Sequence, residues 1–392
     1  MNGNQPAVFF YVQHLRGVGH AVRASRIARE LVKAGCSVSL AWGGTRLPAI
    51  DLSSMAVEWL SPLKSPDDDY ARLVDDEGRA VDDAFLEARR VRLLAFLHRS
   101  RPDIVITETW PFGRRQMRFE LEPLTHAAFS MRERPLMVSS VRDILQENRK
   151  PERIRESLGW FAEYFDLLLV HGDPRLIAIG ATLPGAETIS ENIRYTGLVA
   201  PPPPDLSVPP TIAADVVVAA GGGAFGQRIT AAALEAMPLS RKHLRSWLVI
   251  AGSERSQSEF DALRRSAPDG LQVVRHVPDL ARVFAAARVC VTLAGYNTVC
   301  DLLRAHARAV IISHSGGRET EQKRRAELLG ERGLVIALPD TGLTASRLGA
   351  AVDDASVRAP MQAGFDLDGG ANSARVLIGE WRQRTPTLHR PT

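Results

Sequence analysis

Residues 293–303 read LAGYNTVCDLL. An apolar run from Val289 to Leu293 enters Gly295, and an amphipathic run carrying Asp301 leaves it. Glycine at a strand-to-helix turn lets a phosphate approach the backbone, where free N–H groups and the positive end of the helix dipole receive it. Thr298 adds a hydroxyl for that phosphate, and Asp301 lies on the same helical face as Asn297 and Thr298. A carboxylate there can accept hydrogen bonds from both hydroxyls of a ribose. The alternative is a helix whose start needs a glycine and whose Asp301 is solvated. One unit later, SHSGGRETEQKRRAELL repeats the glycine turn and loads the next helix start with Glu319, Glu321 and Gln322, side chains suited to vicinal sugar hydroxyls.

Two further glycine turns follow apolar runs, VFFYVQHLRGVGHAVRAS near the start and VVVAAGGGAFGQRITAAA past the middle. Neither is a full dinucleotide fingerprint: Gly17-Val18-Gly19-His20 lacks the third glycine, and no acid closes SVSLAWGG. The elements between them alternate. Residues 8–12, 37–42, 103–107, 135–141 and 166–171 read as buried strands, with periodic helices such as AVRASRIARELVKAG and RRQMRFELEPLTHAAF between them. Six prolines in VAPPPPDLSVPP, residues 199–210, interrupt the pattern as a stiff connector. It restarts with strands at 215–220, 246–252, 271–277, 289–295, 308–313 and 334–339. The expectation is α/β: two doubly wound Rossmann-like domains facing across a cleft, at residues 1–198 and 212–370, a linker at 199–211, and a helix in 371–392 returning to the first domain.

Composition agrees with a globular chain and narrows its partners. Of 392 residues 45% are hydrophobic and 24% charged, and no apolar run approaches the roughly 20 residues that span a bilayer. The N-terminus lacks a basic region followed by a long apolar core, so no signal peptide is read. Cys36, Cys290 and Cys300 are scattered, which suggests a reducing cytoplasm and no metal cage. The net charge of +4 permits an anionic partner, but the arginines form no stripe with interleaved aromatics, so nucleic acid is not expected. A nucleotide, a phosphate-bearing acceptor or peripheral contact with an anionic membrane would use the same charge.

Taken together, AGYNTVCDLL, ETEQKRRAELL, GGGAFG and RHVPDLARVFAAARVCVT resemble the donor domain of glycosyltransferases of the two-Rossmann B fold (GT-B). The chain is similar to the bacterial enzymes that add N-acetylglucosamine to the lipid-linked peptidoglycan precursor, and above all to a family of predicted bacterial glycosyltransferases. YVQHLRGVGHAVRASRIARELVKAG and TETWPFGRRQMRFELEPL extend the likeness into the first half. The resemblance implies that Gly222, Gly223 and Ala224 approach a donor diphosphate, that Val277 presents backbone groups to the base, that Gly295 and Thr298 contact phosphate and Asp301 the ribose, and that Glu321 and Gln322 meet the transferred sugar. Many relatives carry a His or Arg two residues before the glycine, where Leu293 stands here, so another cation such as Arg318 or Arg228 is needed.

Such a transferase moves sugar from a nucleoside diphosphate, UDP ahead of dTDP or GDP, to a small-molecule or lipid-linked acceptor, inverting and without metal or other cofactor. It must stabilise a leaving diphosphate and deprotonate an acceptor hydroxyl. His20 is one candidate base: it follows Gly17 and Gly19, placed as an acceptor loop, and the helix dipole keeps its ring neutral. Glu108 is the other, as base, His partner or acceptor clamp, beside Trp110 and Phe112 as a stacking surface and Arg114, Arg115 and Arg118 for an anionic acceptor; Asp143 is a third. Asp67 to Asp69 in SPDDDY contain a D-x-D triplet but read as a solvated loop. A sugar-nucleotide epimerase or hydrolase of the same fold, or a nucleotide-sugar binding protein without turnover, are the competing readings.

Overall fold

The structure, a computed structural model, describes residues 5–66, 72–147, 149–221, 223–241, 243–252, 255–313 and 320–384. The chain divides into two compact units, Met1–Val199 with Asp368–Thr392 and Ala200–Leu367.

In the first unit the chain runs through β1 (Ala7–Val12), α1 (Gly19–Lys33), β2 (Ser37–Trp42), β3 (Ala56–Trp59), α2 (Asp83–Ser100), β4 (Ile104–Glu108), α3 (Arg118–Phe129), β5 (Leu136–Arg142), α4 (Pro151–Tyr164), β6 (Leu167–His171) and β7 (Ile193–Tyr195). All pairings among these strands are parallel, in the order β3-β2-β1-β4-β5-β6-β7. Strands β4 and β6 are buried along their whole length, as continuous apolar runs must be when helices cover both faces of a sheet. The sequence reading missed β3 and β7; AVEW and IRY are short, half-exposed edge strands without an apolar run.

The second unit contains β8 (Val216–Ala219), α5 (Ala224–Ala236), β9 (Trp247–Ile250), α6 (Gln257–Arg265), β10 (Leu271–Val274), α7 (Leu280–Ala286), β11 (Val289–Leu293), α8 (Tyr296–Arg304), β12 (Ala309–Ser313), α9 (Glu321–Glu331), β13 (Ile336–Pro339) and α10 (Ala345–Ser356). Its sheet is also parallel, in the order β10-β9-β8-β11-β12-β13. The proline-rich stretch runs without helix or strand, and Arg304 of α8 anchors it by donating to the carbonyls of Pro201 at 2.8 Å and Leu367 at 2.9 Å.

Helix α11 (Gly369–Arg384) then completes the first unit against α1. Glycine is required at Gly369, where a Cβ would sit 2.4 Å from the Gly197 carbonyl, and Gly370 faces α1 closely, with a Cβ 3.1 Å from Glu30 Cγ. Asn372 donates to the Thr196 carbonyl at 2.8 Å, and ion pairs Arg194–Glu380 and Arg384–Asp166 close the remainder.

A fully buried charge pair braces the first unit. Arg89 of α2 donates to both oxygens of Glu120 at 2.7 and 3.0 Å, to Gln13 Oε1 at 2.6 Å, and to the carbonyls of Gly43 and Ser61. Tyr11 donates its hydroxyl to Glu120 at 2.5 Å; burial and that carboxylate hold the phenol neutral well above its ordinary range. Breaking such a pair on one side leaves a charge without compensation. Arg89→Met should therefore cost the first unit about 3–5 kcal/mol in urea unfolding, and adding Glu120→Leu should recover most of it. A double variant no more stable than the single one would contradict this account.

Candidate functional site

In each unit the strand order reverses once, between β1 and β4 in the first and between β8 and β11 in the second. Ligands of open parallel sheets bind outside the carboxyl ends of the strands at that reversal, because the connections part there and leave a crevice.

At the first reversal stand the two residues proposed for acid–base work. His20 is the second residue of α1, and its helix begins at Val18 with no side-chain cap. Its ring is 18% exposed, and Nδ1 lies 2.7 Å from Oε2 of Glu108, the last residue of β4, whose side chain is 1% exposed. The same oxygen accepts from Thr109 Oγ1 at 2.7 Å, and Oε1 accepts a close contact from Arg23 Nη2. Arg23 also approaches His20 Nδ1, but at 3.4 Å. The shorter contact decides the tautomer: Nδ1 donates to the carboxylate, leaving Nε2 as the acceptor.

The electrostatics give the two residues different tasks. Burial lowers His20 from 6.5 to about 3; Glu108 opposes this, while Arg114 and Arg23 reinforce it. Burial works against the Glu108 carboxylate, yet His20 and Arg23 hold it well below its ordinary value. An anion so fully engaged orients the ring and does not itself take a proton. Of the roles left open for Glu108, His partner is the one its contacts match. Arg23 went unnoticed in the sequence, although its place one turn after His20 on α1 was a readable signal.

Other residues fall differently from expectation. Trp110 is 1% exposed, donates its indole N–H to Thr125 at 3.1 Å and packs edge-on to Trp160, so it belongs to the core and offers no stacking surface. Phe112 is buried beside Phe161 in the same core. Asp143 is wholly buried at the end of β5, accepting from the Ile144 N–H, which removes it as a base in contact with solvent. Gly17 is exposed with a left-handed φ of 56°, and Gly19 is the first residue of α1. His171, read only as the end of a strand, lies buried between Ser140 and Thr196, each at 2.8 Å; burial first, then Arg23, lowers it to about 3.

In the second unit, helix capping separates the strands into two groups. Strands β9, β10 and β13 lead into α6, α7 and α10, whose first N–H groups are capped by Ser256, Asp279 and Thr344. The two central strands, β8 and β11, and β12 beside them lead into α5, α8 and α9, which start at Gly223, Gly295 and Thr320 with no side-chain cap. Uncapped N–H groups at the reversal point are the donors an anion needs.

Gly295 answers why a glycine stands there. Its φ is −61°, open to any residue, and among the described residues a Cβ would meet only Thr298 Oγ1 at 3.7 Å. Neither backbone nor packing demands it, so the room above it is available to a ligand. Gly226 differs: a Cβ there would lie 2.3 Å from the Gly221 carbonyl, so it is required by the turn itself. Asn297 and Thr298 are half-buried in the first turn of α8, and Asp301 is only 7% exposed, so the reading of a solvated Asp301 does not hold. Val277 lies in the turn after β10.

Glu321 is buried and accepts from Arg325 Nη2 at 2.7 Å through Oε1, while Gln322 is half-buried. Arg325 also binds the Ala294 carbonyl at 2.6 Å and lies 5.7 Å from the Tyr296 ring, tying α9 to the turn before Gly295. Leu293 packs against the core, and Arg228 is exposed near Phe225. Gly222, Arg318, Glu319 and the Asp67 to Asp69 triplet lie outside the described residues, as does the side chain of Ala224. Among the described residues no three His, Cys, Asp or Glu gather as metal ligands, and no helix is long and apolar enough to cross a membrane.

Comparison with known proteins agrees with this geometry. Residues 216–363 match the glycosyltransferase family 28 C-terminal domain. Over 158 residues the chain is 30% identical to the UDP-N-acetylglucosamine–N-acetylmuramyl-(pentapeptide) pyrophosphoryl-undecaprenol N-acetylglucosamine transferase of Azotobacter vinelandii, a match spanning 40% of this chain and 42% of that enzyme. A calicheamicin glycosyltransferase superposes over 98% of this chain and all of its own with a TM-score of 0.61 at 16% identity. MurG of Acinetobacter baumannii does so over 96% and 99% with a TM-score of 0.58 at 12% identity. These likenesses establish the fold as GT-B, two Rossmann-like α/β domains.

The two neutral histidines set a pH dependence. Below 6.5 the unfolded chain binds protons that His20 and His171 refuse in the folded state, so their contribution is complete above 6.5 and is lost as pH falls toward 3. Urea denaturation should show stability dropping from about pH 6.5 to 5, where carboxylates are still largely ionised, with a shallower drop in His171→Gln. Stability that stays level across this window would contradict the assignment.

Proposed function

We propose that this chain, which carries a glycosyltransferase family 28 C-terminal domain on the GT-B fold, transfers a sugar from a nucleoside diphosphate to an acceptor hydroxyl. The observation that carries the reading is the uncapped start of α8 behind Gly295, a turn with room for a phosphate inside the family domain. The donor belongs to the second unit. Its diphosphate meets the N–H groups at the starts of α5 and α8, Asn297 and Thr298 lie at that turn, and Asp301 takes the ribose. Gln322 is the residue proposed for the sugar, with Val277 near the base. The Azotobacter relative is named for a UDP-linked sugar, and UDP is the nucleotide proposed here.

The chemistry proposed is a single displacement with inversion. The acceptor oxygen attacks the anomeric carbon, the bond to the diphosphate breaks, and the hydroxyl proton passes to His20 Nε2. Glu108 holds Nδ1, and the contact from Arg23 keeps the carboxylate from taking that proton. Charge growing on the leaving diphosphate falls on N–H groups and helix dipoles already in place, which is why no metal is proposed for the step. The acceptor is a small or lipid-linked molecule bound by the first unit, and the enzyme is proposed to act in the cytoplasm.

The test is a thermal-shift panel of UDP, dTDP, GDP and ADP. One nucleoside diphosphate should raise the melting temperature, and Gly295→Ala should lose at least tenfold in its affinity while unfolding within about 0.5 kcal/mol of the parent. A flat panel, or full affinity in Gly295→Ala, removes the donor site. His20→Ala should lower kcat by about 10²–10⁴ with nucleotide affinity unchanged; an unaltered kcat would transfer the role of base elsewhere.

A further inference from the structure

Arg114, Arg115 and Arg118 stand close together in the sequence, and the fold separates their fates. Arg115 pairs with Glu156 of α4 at 2.5 Å. Arg118 engages the same carboxylate, reaches Glu122 at 3.4 Å and lies 5.8 Å from the Trp110 ring. Arg114 follows neither. Its backbone is left-handed, with φ 61°, and its guanidinium Nε and Nη2 are sealed from solvent with no hydrogen-bond partner among the described residues.

Arg114 is half-buried as a residue, and two sealed, unsatisfied donors on a guanidinium are costly unless something supplies the missing acceptors. The neighbours do not. Glu108 attracts Arg114, but its oxygens are already taken by His20, Thr109 and Arg23. Tyr11 is held neutral, its hydroxyl given to Glu120. Burial lowers its pKa, and repulsion from Arg142 and Arg23 adds to that. The loop around it is nevertheless firmly held: Thr109, also left-handed at φ 68°, donates its N–H to Ser140, Thr107 Oγ1 binds the Trp110 carbonyl at 2.9 Å, and Arg149 binds the Phe112 carbonyl at 3.1 Å. A strained loop that fixes an unpaired guanidinium in place is a preorganised site with its ligand missing.

We propose that Arg114 is the anion-binding residue of the first unit and receives an oxyanion, a carboxylate or a phosphoryl group, carried by the acceptor. This rests on the reading of the first unit as the acceptor domain. The planar guanidinium fork offers parallel N–H bonds that match either group. Binding also acts on the base. The charged groups acting on His20 are Glu108, which raises its pKa, and Arg114 and Arg23, which lower it. An anion that covers Arg114 cancels one of the two depressing charges, so the ring becomes a better base once the acceptor is seated.

The test is isothermal titration of the full chain with inorganic phosphate and, separately, with succinate, each at saturating UDP so that the donor site is filled. One oxyanion should bind per chain. Arg114→Gln should weaken it at least tenfold, and Arg114→Lys, which keeps the charge and loses the fork, should fall between. The His20 ring, followed by NMR, should titrate at higher pH when the oxyanion is added to the parent, and should not respond to it in Arg114→Gln. Binding of phosphate alone assigns a phosphoryl group, and of succinate alone a carboxylate. Binding of neither, or equal affinity in Arg114→Gln, overturns the proposal. UDP is titrated on its own in every variant: a chain that takes the oxyanion but no nucleotide refutes glycosyl transfer and keeps the anion site, and the reverse result does the opposite.

Discussion

The carboxylate of Glu108 is the constraint around which the first unit is arranged. An ionised group sealed inside a protein must be paired and hydrogen-bonded or it will neutralise. Glu108 stays charged because three donors converge on it, from His20, Arg23 and Thr109. Two of these lie one turn apart on α1, so satisfying the carboxylate also fixes the roll of that helix against the end of β4. The tautomer of His20 follows from the same contact. So does the isolation of Arg114, whose nearest acid has no oxygen to spare.

The second unit is arranged differently, with a buried Arg325–Glu321 pair supporting the turn before Gly295. There the distinction is made by what caps a helix. A serine, aspartate or threonine side chain caps the helices that follow β9, β10 and β13, while those that follow β8, β11 and β12 start at glycine or threonine with no side-chain cap. The cost of leaving N–H groups unmet is about 1 kcal/mol per cap, small enough for the fold to bear at three places. Arg325 stiffens the arrangement from below by binding both the Ala294 carbonyl and Glu321.

Most of the fold was legible because parallel strands covered on both faces must be nearly continuous apolar runs. AVEW and IRY escaped notice because edge strands are released from that requirement. The glycines were legible as turns, and the pair His20 and Glu108 as candidates, since one opens the first helix after a glycine turn and the other closes a buried strand. What the sequence did not disclose was which side chains find one another over long separations. Trp110 beside an acid resembled an open platform, yet its indole reached Thr125 and the core. The Arg89–Glu120 pair could not be anticipated, because nothing local marks a charge that will be buried. The partner of Glu321 was legible but unread: Arg325 stands four residues on, at helical spacing.

The interrupted make-up of the first unit has a consequence in time. Its closing helix, α11, is encoded after the whole of Ala200–Leu367. At ordinary rates of translation the surface of α1 that receives Gly369 and Gly370 waits roughly ten to thirty seconds, uncovered, while the second unit is made. The second unit has every strand of its sheet in one continuous stretch and can fold at once. The first unit is therefore complete only after the whole of the second has been synthesised, because α11 lies beyond it in the chain.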